Sequence, residues 1–200
     1  MLVNQPLFFL RHGETDWNAQ SRYQGTTDTH LSEIGRKQVE SNADLLQKQL
    51  NGMGADTSDL NFASSPLSRA KESASVLVSA LSIEPSVIKT APALREISMG
   101  RWEGLQNLEV KATYYEERKS RKIDRWHFKP EGGESLRERV DEVREFLLSL
   151  PAWTVVVTHA GILRIVQHLL GGLDVRQAAL FTMPHEGLLL WKSDKTHFIE

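Results

Sequence analysis

The chain contains no cysteine, and this excludes disulfide bonds, thiolate chemistry and zinc sites that depend on cysteine. It carries little net charge, −2 at neutral pH, so its overall balance gives no electrostatic reason to expect a nucleic-acid partner. Long hydrophobic runs are also missing: no stretch approaches the roughly 20 apolar residues that span a bilayer, and no basic segment marks a signal peptide. We therefore expect a soluble, cytoplasmic protein that binds neither membranes nor nucleic acid.

What the chain does contain suits a folded protein of ordinary composition. Hydrophobic residues make up 40% and charged residues 25%, a balance typical of globular proteins rather than disordered ones. The length of 200 residues is right for one substantial domain, so we expect residues 1–200 to form a single domain. A polar, charge-rich stretch at about 101–131 interrupts the pattern, and its composition favours an inserted cap. It holds the aromatic residues Trp102, Tyr114, Tyr115, Trp126 and Phe128.

Strands alternate with helices along the rest of the sequence. Short apolar runs predict strands at 7–10, 60–64, 87–89, 153–157 and 188–191. Capping residues and apolar spacing predict four helices. The first runs from Ser32 as N-cap to Gly52 and Gly54, and the second has Ser65 as N-cap and Pro66 at its first position and runs to about Leu81. The other two cover 135–150 and the stretch from Gly161 to Gly171. This alternation predicts an α/β domain with a mostly parallel sheet, in which ligands bind beyond the carboxyl ends of the strands.

Three of the predicted strands end in residues that favour an anion. Arg11 and His12 follow the first strand, Arg69 comes shortly after the second, and His159 and Ala160 follow the fourth. These cations and imidazoles would repel one another at a common sheet edge without an anion between them, and helix N-termini add free backbone N–H groups. A phosphoryl group fits because a guanidinium offers a planar fork of donors. Sulfate or carboxylate would satisfy the same charge.

His12 is the candidate for chemistry on a bound phosphate. Positive neighbours lower the pKa of an imidazole, because a like charge disfavours its protonated form. Since an unperturbed histidine titrates near ~6.5, a modest decrease keeps His12 neutral and nucleophilic at pH 7. A neutral imidazole can attack phosphorus and form a phosphohistidine. The leaving oxygen then needs a proton, and either Glu96 or Glu103 of LREISMGRWEG can supply it.

Five ordered segments resemble the histidine phosphatase superfamily, in its phosphoglycerate mutase-like branch. They are RHGETDWN, SSPLSRAKESA, LREISMGRWEG, PEGGES and VVVTHAG, which together reach across most of the chain. The resemblance implies a three-layer α/β/α sandwich on a mixed, mostly parallel sheet, with the 101–131 region as part of the cap. It implies no cofactor, and none of the remaining histidines shows the spacing of a metal site.

The resemblance also assigns roles to individual positions. It implies that His12 is the phosphorylated nucleophile, that Arg11, Arg69 and His159 complete the phosphate pocket, and that Glu96 rather than Glu103 is the general acid. Residues expected to contact the phosphate or the substrate are Asn18, Gln24, Gly25 and Ala160.

A phosphatase is the function that we expect, acting on a small-molecule phosphoester. The chain is shorter than the mutases that it resembles, and EERKSRKIDRW lacks the adjacent arginines with which mutases bind phosphoglycerate. A phosphoglycerate mutase is the first alternative, and a non-catalytic sensor of phosphorylated ligands is the second. The family resemblance makes a homodimer one expected state, although no exposed stripe in the sequence supports it.

Two segments leave the family pattern or remain ambiguous. The basic residues Arg118, Lys119, Arg121, Lys122 and Arg125 suit a solvated helix face better than a grip on an acidic substrate. Pro184-His185-Glu186-Gly187 replaces the Asn-Cys-Ser-like turn expected before the last strands, so the contacts of that turn are open.

Overall fold

A six-stranded sheet forms the centre of the computed structural model, which describes residues 6–200. The strands are β1 (Leu7–Arg11), β2 (Asn61–Ser64), β3 (Ile88–Thr90), β4 (Thr154–Thr158), β5 (Leu188–Lys192) and β6 (Lys195–Ile199). Their order is β3-β2-β4-β1-β5-β6, in which the first four are parallel and β5 is antiparallel to both of its neighbours. Arg11 lies beside Thr158 in the register, so β1 and β4 end at the same edge.

Helices cover both faces of this sheet. They are α1 (Asp16–Ala19), α2 (Glu33–Met53), α3 (Ser68–Ala80), α4 (Asn107–Thr113), α5 (Tyr115–Ile123), α6 (Val140–Ser149), α7 (Ala160–Leu169) and α8 (Val175–Leu180). One hydrophobic cluster joins the sheet to α2 and α3, and a second joins it to α6, α7 and α8. The predicted three-layer α/β/α sandwich on a mixed, mostly parallel sheet is therefore confirmed.

The start, the end and the buried face of the longest helix, α2, follow from residues within or next to it. Ser32 caps α2 by accepting a hydrogen bond from the backbone of Gly35, and the apolar stripe from Val39 to Leu50 is buried. The helix runs through Gly52 and ends at Gly54, whose left-handed backbone (φ 66°) suits a glycine. Ile34, in the first turn of α2, lies outside this stripe and is 57% exposed.

The predicted start of α3 is wrong by two residues. The helix begins at Ser68 instead of Pro66, and Leu67 takes the N-cap position without a side-chain hydrogen bond. The carboxylate of Asp28 accepts from both the backbone N–H and the hydroxyl of Ser68, so a neighbouring loop supplies the cap. Ser65 is used elsewhere, because its hydroxyl contacts His159 across the sheet edge.

The 101–131 stretch carries the short helices α4 and α5 instead of a further strand–helix unit. Tyr23 is bonded through its backbone to Leu105, which ties this stretch to the loop after α1. No side chain of α5 is buried, so polar contacts and the neighbouring turn position it. Outside this stretch, three elements were not predicted: α1 and α8 are short, and β6 is an edge strand with mostly exposed residues and little periodicity. Within residues 6–200, no helix has the length and apolarity to cross a membrane.

Candidate active site

A cavity of about 220 Å³ opens at the carboxyl ends of β1, β2 and β4. It is the place where the parallel-sheet rule predicts a ligand. The predicted site residues that line it are Arg11, His12, Asn18, Gln24, Gly25, Arg69, Glu96 and Ala160. His159 is fully buried and does not line the cavity; its ring packs against His12 with the ring centroids 5.1 Å apart.

His12 is held in one tautomer by the backbone. Its Nδ1 lies 2.7 Å from the carbonyl oxygen of Gly13, and because a carbonyl can only accept, Nδ1 carries the proton. The remaining nitrogen, Nε2, therefore has the free lone pair. Burial lowers the pKa of His12 well below 6.5, and the charges of His159, Arg69 and Arg11 lower it further. The imidazole is neutral at pH 7.

His159 directly follows β4 and is the N-cap residue of α7. Its Nε2 shares a hydrogen bond of 2.7 Å with the hydroxyl of Ser65, which follows β2. Burial first, and then the charges of Arg69 and Arg11, lower the pKa of His159 well below 6.5. Its buried Nδ1 has no hydrogen-bond partner within the described part of the chain. The two neutral imidazoles thus lie side by side, with His12 lining the cavity and His159 fully buried behind it.

The two arginines of the site are fixed by carbonyl oxygens. Arg69 is 1% exposed and donates to the carbonyls of Gly25 (2.8 Å) and Thr27 (2.9 Å), and Arg11 donates to that of Met183 (2.9 Å). Neither has an acidic group within 4.0 Å among residues 6–200, and the Nε of each is buried without a partner. Glu72, three residues after Arg69 in α3, is close enough along the helix to pair with it but contacts His30 and Arg36 instead.

These arginines are costly to keep charged without an anion. Burial lowers the pKa of both Arg11 and Arg69, which means that the protein disfavours their cationic forms, and the negative charge of Glu96 opposes that effect. A phosphate dianion in the cavity would supply the missing charge.

Glu103 holds the loop that in turn holds Arg69. Its carboxylate accepts from the backbone and hydroxyl groups of Thr26 and Thr27, and also from Ser98 and Met99. Burial alone would raise the pKa of Glu103, but these hydrogen bonds lower it overall. Gly25 packs against the same carboxylate with φ 53°, and a Cβ there would collide with Oε1. Glu103 is thus committed to the loop and does not line the cavity.

Glu96 is the carboxylate that faces the cavity. It accepts from the backbone N–H of Gly161 in the first turn of α7 (3.1 Å) and from that of Ile97 (2.9 Å). Gly161 is required here because a Cβ would collide with the carboxylate. The sequence left Glu96 and Glu103 as candidates for the general acid, and of these two only Glu96 lines the cavity.

Two amides have one end fixed and one end available. Asn18 forms a capping box with Thr15, whose backbone N–H donates to Oδ1 (3.1 Å), so its Nδ2 is left for the cavity. Gln24 accepts from the hydroxyl of Thr29 through Oε1 (2.7 Å), which leaves Nε2 as a donor. Donor groups of this kind suit phosphate oxygens.

Sequence reasoning missed a third histidine in this site. His185 donates from Nδ1 to the carbonyl of His12 (2.6 Å), and the two rings lie 5.5 Å apart. Asn42 fixes the turn from both sides: its amide donates to the carbonyl of His185 (2.9 Å) and accepts from the N–H of Gly187 (2.7 Å). Burial and the nearby Arg11 lower the pKa of His185 to about 4. A buried asparagine within the apolar stripe of α2 was the signal available in the sequence.

The interpretation of the basic 118–125 cluster needs a correction. Arg121 and Arg125 line the cavity, as does Arg164 of α7, while Lys119 and Lys122 are exposed. Lys119 and Lys122 lie one or two residues from Arg121 on α5, so helical geometry turns them to other faces, and Arg125 reaches the cavity from the turn after the helix. Within residues 6–200, no group of three metal-binding side chains comes together.

Comparisons with known proteins agree with this geometry. The family model of the histidine phosphatase superfamily (branch 1) matches residues 7–198. The glucosyl-3-phosphoglycerate phosphatase of Mycolicibacterium vanbaalenii is 36% identical over 182 residues, covering 84% of this chain and 75% of that protein. Phosphoserine phosphatase 1 of Hydrogenobacter thermophilus is 35% identical over 179 residues, covering 84% of this chain and 77% of that protein.

A solved structure shows the same fold over nearly the whole chain. The mycobacterial glucosyl-3-phosphoglycerate phosphatase in complex with VO3 has a TM-score of 0.78 and 30% identity, and the match covers 97% of this chain and 96% of that one. The family match spans more than half of the chain, and the relatives named above are enzymes. This chain is an enzyme of the histidine phosphatase superfamily, branch 1.

Proposed function

We propose that this enzyme is a metal-independent phosphomonoesterase that hydrolyses a small phosphorylated metabolite through a phosphohistidine at His12. The observation that carries the proposal is the hydrogen bond from Nδ1 of His12 to Gly13, because it leaves Nε2 unprotonated beside two arginines without acidic partners. The names of the relatives support the reaction class, since the two relatives described above are named as phosphatases of small phosphorylated acids.

In the first step, Nε2 of His12 attacks phosphorus and the bond to the ester oxygen breaks. Arg11 and Arg69 neutralise the charge on the equatorial oxygens, with donors already fixed by carbonyls, so little reorganisation is needed. The ring of His159 lies beside His12, and because burial lowers the pKa of His159 well below 6.5, this ring is neutral and adds no positive charge next to the nucleophile. Asn18 and Gln24 supply further donors to the phosphate.

Glu96 serves as the general acid in this scheme. A carboxyl beside a bound dianion gains a proton more readily, and Glu96 can pass that proton to the leaving alkoxide. In the second step, water attacks the phosphohistidine, and the Glu96 carboxylate takes the proton that water loses. Inorganic phosphate leaves and His12 returns to its neutral form, so all atoms and charges balance.

We also propose that residues 101–131 form a cap within a single domain. Arg121, Arg125, Phe128 and Pro130 contribute to the cavity from this segment, so it is placed to contact the part of the substrate beyond the phosphate. The proposed location is the cytoplasm, where phosphorylated metabolites are found and where a chain without cysteine faces no redox constraint.

Hydrolysis is favoured over mutase activity by the cap. Its helices bury few residues, which favours access of water to the phosphoenzyme. A coupled assay with 3-phosphoglycerate, with and without the bisphosphorylated primer, tests this choice. We expect phosphate release well in excess of isomerisation, unchanged by EDTA. Isomerisation at a comparable rate would make the mutase the better assignment, and absence of both activities with a phosphoester that binds would favour a sensor.

A further inference from the structure

The peptide unit that joins His12 to Gly13 lies just beyond the end of the sheet. The pairing of β1 with β5 stops at Phe9, and its pairing with β4 ends with the hydrogen bond from the N–H of His12 to the carbonyl of Thr158 (2.9 Å). Within residues 6–200, the ladder of the sheet therefore does not hold the peptide after His12. A buried peptide unit has one donor and one acceptor, and each needs a partner.

Two side chains from distant parts of the chain supply these partners, one at each end of the peptide unit. Nδ1 of His185 donates to the carbonyl oxygen of His12 (2.6 Å). At the other end, Oγ of Ser73 accepts from the N–H of Gly13 (3.0 Å), and the same hydroxyl donates to the carbonyl of Arg69 (2.6 Å). The peptide unit is thus held between α3 and the turn of residues 183–187, which precedes β5.

The orientation of the His12 ring depends on this peptide unit. Nδ1 of His12 donates to the carbonyl of Gly13, which is the next carbonyl along the chain (2.7 Å). If the peptide before Gly13 rotates, the backbone of Gly13 moves and its carbonyl moves with it. The hydrogen bond that keeps the proton on Nδ1, and so leaves Nε2 unprotonated, would then be misaligned or lost.

His185 is itself held by the core. The side chain of Asn42, fully buried in α2, donates to the carbonyl of His185 (2.9 Å) and accepts from the N–H of Gly187 (2.7 Å). Gly187 has φ 110°, and a Cβ there would collide with the ring of Phe198. A buried amide is costly unless both of its ends are satisfied, and the turn of residues 183–187 satisfies both. The imidazole of His185 is therefore presented to His12 from a fixed backbone.

The position and charge of His185 suit a role through the main chain. Its side chain does not line the cavity, so it is not placed to contact the substrate. Burial and the charge of Arg11 lower the pKa of His185 to about 4, so the ring is neutral at pH 7. It therefore makes its hydrogen bond to His12 without placing a further positive charge beside the nucleophile.

We propose that His185 is a positioning residue for catalysis, which acts by donating to the carbonyl of His12 and so fixing the peptide that orients the His12 ring. This proposal rests on the proposed function in one respect, because it takes His12 as the nucleophile. A displacement of about 1 Å at a reacting atom can lower a rate by about 10²-fold. Phosphate binding should be less affected, since carbonyls other than that of His12 hold Arg11 and Arg69.

Matched substitutions at His185 test the proposal by separating catalysis from binding. His185→Phe keeps an aromatic ring but removes the donor, whereas His185→Asn keeps an amide N–H near the position of Nδ1. We expect His185→Phe to lower kcat/KM for p-nitrophenyl phosphate at least about 10-fold, with the inhibition constant of inorganic phosphate changed by less than about 2-fold. His185→Asn should recover most of the activity. His197→Phe, on the exposed edge strand β6, should stay within about 2-fold of the unmodified enzyme.

A smaller loss in His185→Phe, a parallel loss of phosphate binding, or no recovery of activity in His185→Asn would overturn the positioning role. If the phenylalanine variant does not fold, His185→Ala removes the same donor without adding bulk, and the same criteria apply to it.

Failure of the proposed function looks different, because the unmodified enzyme would then release no phosphate from any ester tested. In that case ¹⁵N NMR of the His12 ring decides on the role of His185. The proposal predicts a single tautomer protonated at Nδ1 in the unmodified protein and a mixture of tautomers in His185→Phe. A His12 ring that this substitution leaves unchanged would overturn it.

Discussion

The cavity has two positively charged sides that are built in opposite ways. On the sheet side, Arg11 and Arg69 are buried and donate to backbone carbonyls that hold them in place. On the cap side, Arg121 lies on a helix without buried residues and Arg125 in the turn after it, and neither makes a hydrogen bond within residues 6–200. The protein itself thus fixes the arginines of the sheet side, whereas the two arginines of the cap side have no comparable hydrogen bonds within residues 6–200.

This difference separates chemistry from selectivity. Stabilising charge in a transition state requires donors that are already aligned, because any reorganisation adds to the barrier. Recognition of the rest of the substrate tolerates mobile side chains, at a cost in affinity for ordering them. The same fold can therefore keep one reaction while changes in residues 101–131 alter the substrate.

The largest effect that sharpens this contrast is expected at Arg69. Arg69→Gln should lower kcat/KM for p-nitrophenyl phosphate by about 10³-fold, because a charge beside the transferring group is lost and the carbonyls of Gly25 and Thr27 lose their donor. Lys119→Gln, on the exposed face of α5, should stay within about 2-fold. Steady-state kinetics measures both, and losses of similar size would remove the distinction between the two sides.

The next largest effect is expected at Glu96 and Glu103, whose variants should lose activity with different dependence on the leaving group. Glu96→Gln should slow alkyl phosphates by about 10²-fold and p-nitrophenyl phosphate far less, because nitrophenolate leaves without a proton. Glu103→Gln should slow both esters equally, since its carboxylate positions the loop that anchors Arg69. The ratio of the two rates in each variant is the measurement. Equal losses in Glu96→Gln would remove Glu96 from the acid role.

A smaller effect concerns stability against pH on the sheet side. His12, His159 and His185 have pKa values below 6.5 in the fold, so the unfolded chain binds protons more readily in acid. Their stabilisation is complete above the unfolded pKa near 6.5 and is lost as pH falls. For His185 the loss extends down to about pH 4. Each histidine contributes at most about 1.4 kcal/mol per pH unit in that window.

Urea denaturation between pH 7 and 5 checks this expectation. The free energy of unfolding should fall with decreasing pH, and His185→Gln should make the slope shallower. His30 offers a control outside the cavity, because its hydrogen bond with Glu72 raises its pKa and gives it the opposite sign. His30→Gln should therefore leave the slope the same or make it slightly steeper. A flat profile in the unmodified enzyme would mean that the buried histidines accept protons without loss of stability.

The sheet side could be predicted from the sequence, because short-range rules govern it. Apolar runs predict that one strand ends beside Arg11 and another just before His159. In a parallel sheet the carboxyl ends of neighbouring strands lie at the same edge, so these two residues are predicted to be close together. The start of α3 could not be predicted from its own residues, since its cap comes from Asp28, 40 residues earlier. Tertiary contacts of this kind override local capping preference.

Local sequence rules could not predict which basic residues of the cap side face the cavity. Which of the basic residues between 118 and 125 turn toward the cavity depends on how α5 is oriented, and a helix with no buried residue carries no apolar stripe to indicate it. The role of Asn42 was hidden for a similar reason, because its partners at His185 and Gly187 lie more than 140 residues away. The position of a polar side chain inside a core depends on those partners.

Phosphorylation of His12 at Nε2 is tested most directly by ³¹P NMR of the acid-labile phosphoenzyme. After rapid mixing with a phosphoester and denaturation in base, we expect one phosphohistidine signal of the Nε2 isomer in the unmodified enzyme and none in His12→Ala. A signal from the Nδ1 isomer, or a phosphoenzyme that persists in His12→Ala, would contradict the tautomer assigned from the hydrogen bond to Gly13.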